Sequence, residues 1–179
     1  MNQPQSSRRQ QAGFSLVELG VTMAISAIVC GGALPSLGRI KEQQQLRLLA
    51  QTVMVDLQQA RSEAVLSGAG VQLRFSQHPG GSCYLLHKGG QCRCDDSGQP
   101  VCTGAAQVLK QEWIPASRRL TVRANVQTMS FQARQGTVTS TGSIDVAGSG
   151  GTTIRHVVSI AGRVRSCTPT GGVSGLPRC

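Results

Sequence analysis

Between Phe14 and Leu37 the chain carries one charged residue, Glu18, in a run otherwise made of Val, Leu, Ile, Ala, Met, Gly, small hydroxyl residues, Cys30 and Pro35. A helix needs roughly 20 apolar residues to cross the hydrocarbon core of a membrane. The run therefore predicts a membrane-spanning helix over 14–37. Glu18 is what most constrains it, because a carboxylate at membrane depth is costly and marks a functional residue in search of a partner. Residues 1–13 form a short polar leader with Arg8 and Arg9 and no acid.

Gly13-Phe14-Ser15-Leu16-Val17-Glu18 resembles the processing signal of type IV prepilins. The resemblance implies that a prepilin peptidase cuts between Gly13 and Phe14, removing the cytoplasmic leader, and methylates the new amino terminus at Phe14. It also gives Glu18 its partner, a positive N-terminal amine within a bundle of such helices. Other signals fit less well. A secretory signal has a short apolar core ending in an A-x-A-like site, whereas this core is longer and contains Glu18. Ser7-Arg8-Arg9 resembles a twin-arginine signal, but Gln10-Gln11 stand where apolar residues belong, and Val29 before Cys30 is too bulky for a lipoprotein site.

About 140 residues follow the span, enough for one compact domain with a modest core. Its helix continues to Ser67. Leu46, Leu49, Val53, Leu57, Ala60 and Ala64 recur at spacings of three and four, an amphipathic stripe that faces a packed domain. Gly68 and Gly70 end it. Short strands are expected at 71–76, 83–88, 108–114, 120–125, 129–134, 143–146 and 154–160, with a Gly- and Cys-rich loop between Lys88 and Val108. The boundaries that result are 1–13 leader, 14–37 span and 38–179 globular domain, the last made of helix to 67, β domain 68–166 and tail 167–179.

Six of the seven cysteines lie beyond the span, an even number that suits an oxidising compartment such as the periplasm. Disulfides are expected rather than a metal: Cys92-x-Cys94, with Cys83 nine residues before and Cys102 eight after, lacks the two-residue spacing of zinc knuckles. Cys167 is expected to pair with Cys179. Cys83, Cys92, Cys94 and Cys102 are expected to form two bridges whose order is open.

The formal charge is +10, of which the leader supplies +2 through Arg8 and Arg9. From Trp113 onward eight arginines face one acid, Asp145. This imbalance suits a polyanionic partner. His78, His87 and His156 have no partner at metal-ligand or nucleophile spacing, and no phosphate loop or nucleophile motif is present. The chain reads as a non-enzyme without a cofactor.

A narrower resemblance lies in Phe131-Gln132-Ala133-Arg134-Gln135-Gly136 and in the stretch from Val157 to Arg165, which are similar to the C-terminal half of the GspH/FimT pseudopilin family. It implies an α+β, pilin-like fold, a long N-terminal helix packed on a small antiparallel β domain. It also implies assembly with other pilins through the helix, anchorage in the bacterial inner membrane and a periplasmic C-terminal domain. In FimT-like minor pilins of natural transformation, a Gly-Arg-x-Arg motif in this place is implicated in binding DNA. Here it is Gly162-Arg163-Val164-Arg165. In an extended segment Arg163 and Arg165 project to one side, where two guanidinium forks suit phosphate oxygens. Arg155 and Arg178 are candidate supporting contacts, as are Arg118, Arg119, Arg123 and Arg134. Aromatics are too scarce for a base-stacking platform, so duplex DNA is the expected form. The alternative is a structural pseudopilin of a type II secretion system that binds no DNA.

Overall fold

The computed structural model describes residues 15–179, the side chains of 32–37 and 39 excepted. Helix α1 runs Leu16–Ser67. The chain divides into two units at Lys41/Glu42.

In the first unit, Ser15 Oγ accepts from the Val17 N–H at 3.4 Å, and Glu18 lies in the first turn of α1. A carboxylate there complements the positive end of the helix dipole. Leu16, Val17, Val21, Met23, Ile25, Ile28 and Val29 are all exposed. Among the described residues no helix is long and apolar enough to cross a membrane. The span expected over 14–37 includes Phe14 and the side chains of 32–37, which lie outside the described residues, as do Gly13 and the leader.

The second unit holds the core. The stripe Leu46, Leu49, Val53, Leu57, Ala60 and Ala64 is buried throughout. Its apolar periodicity has a partner: two four-stranded antiparallel sheets. The first contains β1 (Val71–His78), β2 (Gly81–Lys88), β5 (Gln107–Pro115) and β7 (Thr128–Phe131), in the order β5-β2-β1-β7. The second contains β6 (Leu120–Ala124), β8 (Gly142–Gly148), β9 (Thr153–Val158) and β10 (Val164–Cys167), in the order β10-β9-β8-β6. Strand alternation sends Leu73, Tyr84 and Met129 of the first sheet, with Val122, Ile144 and Ile154 of the second, into one cluster with the helix stripe. Gly68, at φ 64°, takes the left-handed conformation that closes α1.

Polar bonds fix the helix to these sheets. Asp56 is buried, accepts from Tyr84 Oη at 2.7 Å and pairs with Lys110 Nζ at 2.6 Å. Burial and this carboxylate push the Tyr84 phenol far above its ordinary range. Glu42 accepts from Ser149 Oγ and the Gly150 N–H in the β8–β9 turn, and these bonds hold its carboxyl below the usual carboxylate range.

The expected loop between Lys88 and Val108 contains instead a two-stranded ribbon, β3 (Gln91–Cys94) with β4 (Pro100–Thr103). It is stapled by Cys83–Cys94 and Cys92–Cys102. Cys83, Cys92, Cys94 and Leu85 form a second small core with Trp113 packed against it. β2 is thus buried on both faces, which accounts for its unbroken apolar run.

Candidate functional site

β9 and β10 pair antiparallel, with Val158 opposite Val164 and Val157 opposite Arg165. Residues 159–163 connect them in a tight turn. The Gly162 N–H donates to the Ser159 carbonyl at 2.8 Å, the Ser159 N–H donates to the Arg163 carbonyl at 3.0 Å, and the Arg163 N–H donates to Ser159 Oγ at 3.3 Å. Gly162 has φ +70°, and a Cβ there would stand 2.2 Å from the Gly136 carbonyl oxygen. The position therefore demands glycine twice, for its backbone conformation and for this close approach.

Beyond that turn Arg163 and Arg165 are exposed while Val164 is half-buried. The two guanidinium-bearing side chains share a hollow of about 400 Å³ with Val157, Ser159 and Ala161. Two residues further on, Cys167 is bonded to Cys179. The tail that this bridge closes is pinned by the Thr168 N–H to the Pro177 carbonyl at 2.9 Å and by Arg47 Nη2 to the Ser174 carbonyl at 3.2 Å.

Arg163 also lines a second, larger groove of about 860 Å³, together with Arg61 of α1 and Arg134 of the β7–β8 connection. Among the described residues, none of Arg61, Arg134, Arg163 and Arg165 is within ion-pair distance of a carboxylate. The acid closest to Arg61 in sequence, Glu63, is engaged by Lys88 Nζ at 2.5 Å.

The other expected contributors are placed differently. Arg155 forms a bidentate pair with Asp145, Nε to Oδ1 at 2.6 Å and Nη2 to Oδ2 at 2.7 Å, and this bonding raises its pKa. Its fork is filled, so it is not the free phosphate contact that the sequence suggests. Arg123 faces the same Asp145 across the β6–β8 ladder. Arg178 is exposed in the disulfide-closed tail, where its backbone bridges Thr168, and it lines neither groove. Arg118 lies elsewhere, beside Glu112 and Leu120. Sequence reasoning missed Arg61, which reads as one more solvent-facing helix position. Only its approach to Gly136 and Gly162 brings it to the motif.

The histidines offer no catalytic arrangement. His78 Nδ1 meets Asp96 Oδ1 at 2.7 Å, His87 Nδ1 meets the Gly89 carbonyl at 3.1 Å, and His156 Nδ1 meets Ser166 Oγ at 2.9 Å. Burial lowers the pKa of both His87 and His156. No group of three or more potential metal ligands occurs among the described residues.

The long helix with its antiparallel sheets is the α+β fold of type IV pilins. A crystal structure of the type IV minor pilin FimU of Pseudomonas aeruginosa superposes with a TM-score of 0.53 at 20% identity, covering 74% of this chain and 96% of that one. A second crystal form of FimU covers 75% and 96% at 18% identity, with a TM-score of 0.46. The family described as type II transport protein GspH matches residues 49–162, and the prokaryotic N-terminal methylation motif matches residues 8–34. The chain belongs to the GspH family and is a type IV minor pilin or pseudopilin. No curated protein matches it.

Proposed function

We propose that this protein is a minor pilin of a type IV pilus that captures extracellular duplex DNA for natural transformation through Gly162, Arg163 and Arg165. The observation that carries the reading is the state of the two arginines: exposed, projecting to one side of a hydrogen-bonded turn, and unmatched by any carboxylate among the described residues. A guanidinium without an internal partner is free to grip phosphate bidentately. Because phosphate contacts position without specifying bases, binding is sequence-independent and salt-sensitive.

The methylation motif supports the rest of the reading. Prepilin peptidase cuts between Gly13 and Phe14 and methylates Phe14, and Glu18 pairs with an N-terminal amine. The 14–37 segment anchors the protein in the inner membrane with the globular domain in the periplasm, then packs among other pilins in the filament. The exposed apolar side chains from Leu16 to Val29 have a use in either setting.

The family description favours a second reading, a structural pseudopilin of a type II secretion system that binds no DNA. Titrating the full-length protein, in uncharged detergent, against duplex DNA at two salt concentrations separates the two. Binding that weakens with salt and is lost in the Arg163→Ala/Arg165→Ala variant supports the DNA-capturing pilin. No binding by the folded wild type at low salt leaves the structural pseudopilin.

A further inference from the structure

We infer that the DNA site continues beyond the motif into the larger groove, where Arg61 and Arg134 are further phosphate-binding residues. The inference rests on the DNA reading above. Arg61 is carried by α1 and half-buried. A Cβ placed on Gly136 would meet Arg61 Cγ at 2.8 Å and Nε at 3.0 Å, and one placed on Gly162 would meet Cδ and Nε at 3.2 Å. The stem of Arg61 thus crosses two adjacent glycines, and the absence of side chains there gives it room.

Arg134 lines the same groove. The Gln132 N–H donates to the Thr137 carbonyl at 2.8 Å and the Gly136 N–H to the Gln132 carbonyl at 2.9 Å, so 132–137 is a closed turn with exposed Arg134 within it. Arg163 lines both hollows and joins them. The result is a series of cations with no carboxylate partner among the described residues: Arg165, Arg163, then Arg134 and Arg61. A single small anion would occupy one hollow. Duplex DNA, with a negative charge about every 3.4 Å of axis on each strand, presents a row of phosphates that can engage both. Glu63, held by Lys88, does not neutralise the series.

The test uses full-length protein in uncharged detergent and one duplex, with affinity measured across a salt series. Each phosphate contact contributes about 0.9 to the slope of log affinity against log salt. Arg61→Gln and Arg134→Gln should each lower that slope by about one, while Arg61→Lys restores most of it and Arg118→Gln, remote from both hollows, leaves it unchanged. Thermal melting checks that each variant is folded. Arg134 is exposed on a turn, so its variant reports even if Arg61→Gln is destabilised. An unchanged slope in folded Arg134→Gln, or in folded Arg61→Gln, overturns the extension; if the Arg163/Arg165 variant has lost binding, the DNA reading itself survives. Failure of the wild type to bind removes both together.

Discussion

Two hollows of similar size, each with three arginines, occupy different parts of the β domain. The one beside the β3–β4 ribbon, about 810 Å³, has Arg74, Arg93 and Arg123 along with Asp95 and Asp96. The one beside the Gly162 turn, about 860 Å³, has Arg61, Arg134 and Arg163 and no acid. Arg74 donates to Thr128 Oγ1, and Arg123 lies opposite Asp145. Among the described residues neither trio is within ion-pair distance of a carboxylate, and what differs is that only the first hollow is lined by acids. What makes a polyanion site is the local charge that a fold leaves unmatched, because carboxylates lining the same hollow repel an incoming phosphate.

The most direct way to break this comparison is to empty the uncompensated site. Loss of both motif guanidiniums in Arg163→Ala/Arg165→Ala should weaken duplex binding by about 100-fold, two charge-assisted bonds at about 1.5 kcal/mol each, read by fluorescence anisotropy at fixed salt. Gly162→Ala attacks the support instead. A left-handed alanine against the Gly136 carbonyl should cost about 3 kcal/mol of stability, seen as a lowered denaturant midpoint, and the surviving folded protein should bind DNA less well. A native-like midpoint would mean that the turn is dispensable.

The comparison sharpens if the compensated hollow is stripped of its acids. Asp95 Oδ1 accepts from Ser97 Oγ and from the Gln99 and Ser97 N–H groups, bonds that hold its carboxyl low, and asparagine keeps that acceptor. Asp95→Asn/Asp96→Asn should therefore fold and gain severalfold in DNA affinity at low salt, with the gain disappearing as salt rises. No gain would show that Arg74, Arg93 and Arg123 are poorly presented whether or not acids line their hollow.

The smallest effect is one of pH. Burial depresses the folded-state pKa of His156, whose Nδ1 meets Ser166 between Arg165 and Cys167. The unfolded chain then binds the proton more readily, so stability rises with pH and is lost as pH falls below about 6.5, the ordinary histidine value. His87 adds to this in the same direction. Chemical denaturation at pH 7 and pH 5.5 should show the loss, and His156→Gln should flatten it.

How much of this was legible in the sequence depends on whether the signal is local. The helix stripe was, because a 3.6-residue period appears in the order of residues, and α1 ends at the expected Ser67. Most strands were, through alternation in β1 and composition elsewhere, but β10 was not, and 132–134, expected to extend a strand, turn away after β7. The β3–β4 ribbon was not: Gly89-Gly90 and scattered cysteines read as loop, and its extended form depends on two bridges and on packing beside Trp113. The motif was legible as four residues in a row. Its surroundings were not. That Asp145 takes Arg155 follows from the β8–β9 register, and that Arg61 reaches the motif follows from two glycines far away in sequence.

The polar bonds along the second unit's part of α1 have a mechanical meaning. Glu42 holds the β8–β9 turn, Asp56 holds Tyr84 and Lys110, and Glu63 holds Lys88. From Glu42 to Glu63 the helix rises about 32 Å. A pull along its axis would load all three anchor points in shear together with the buried stripe, rather than peel them apart one by one. The helix is fastened to its domain in the manner of a tang riveted within a handle, a construction suited to bearing tension.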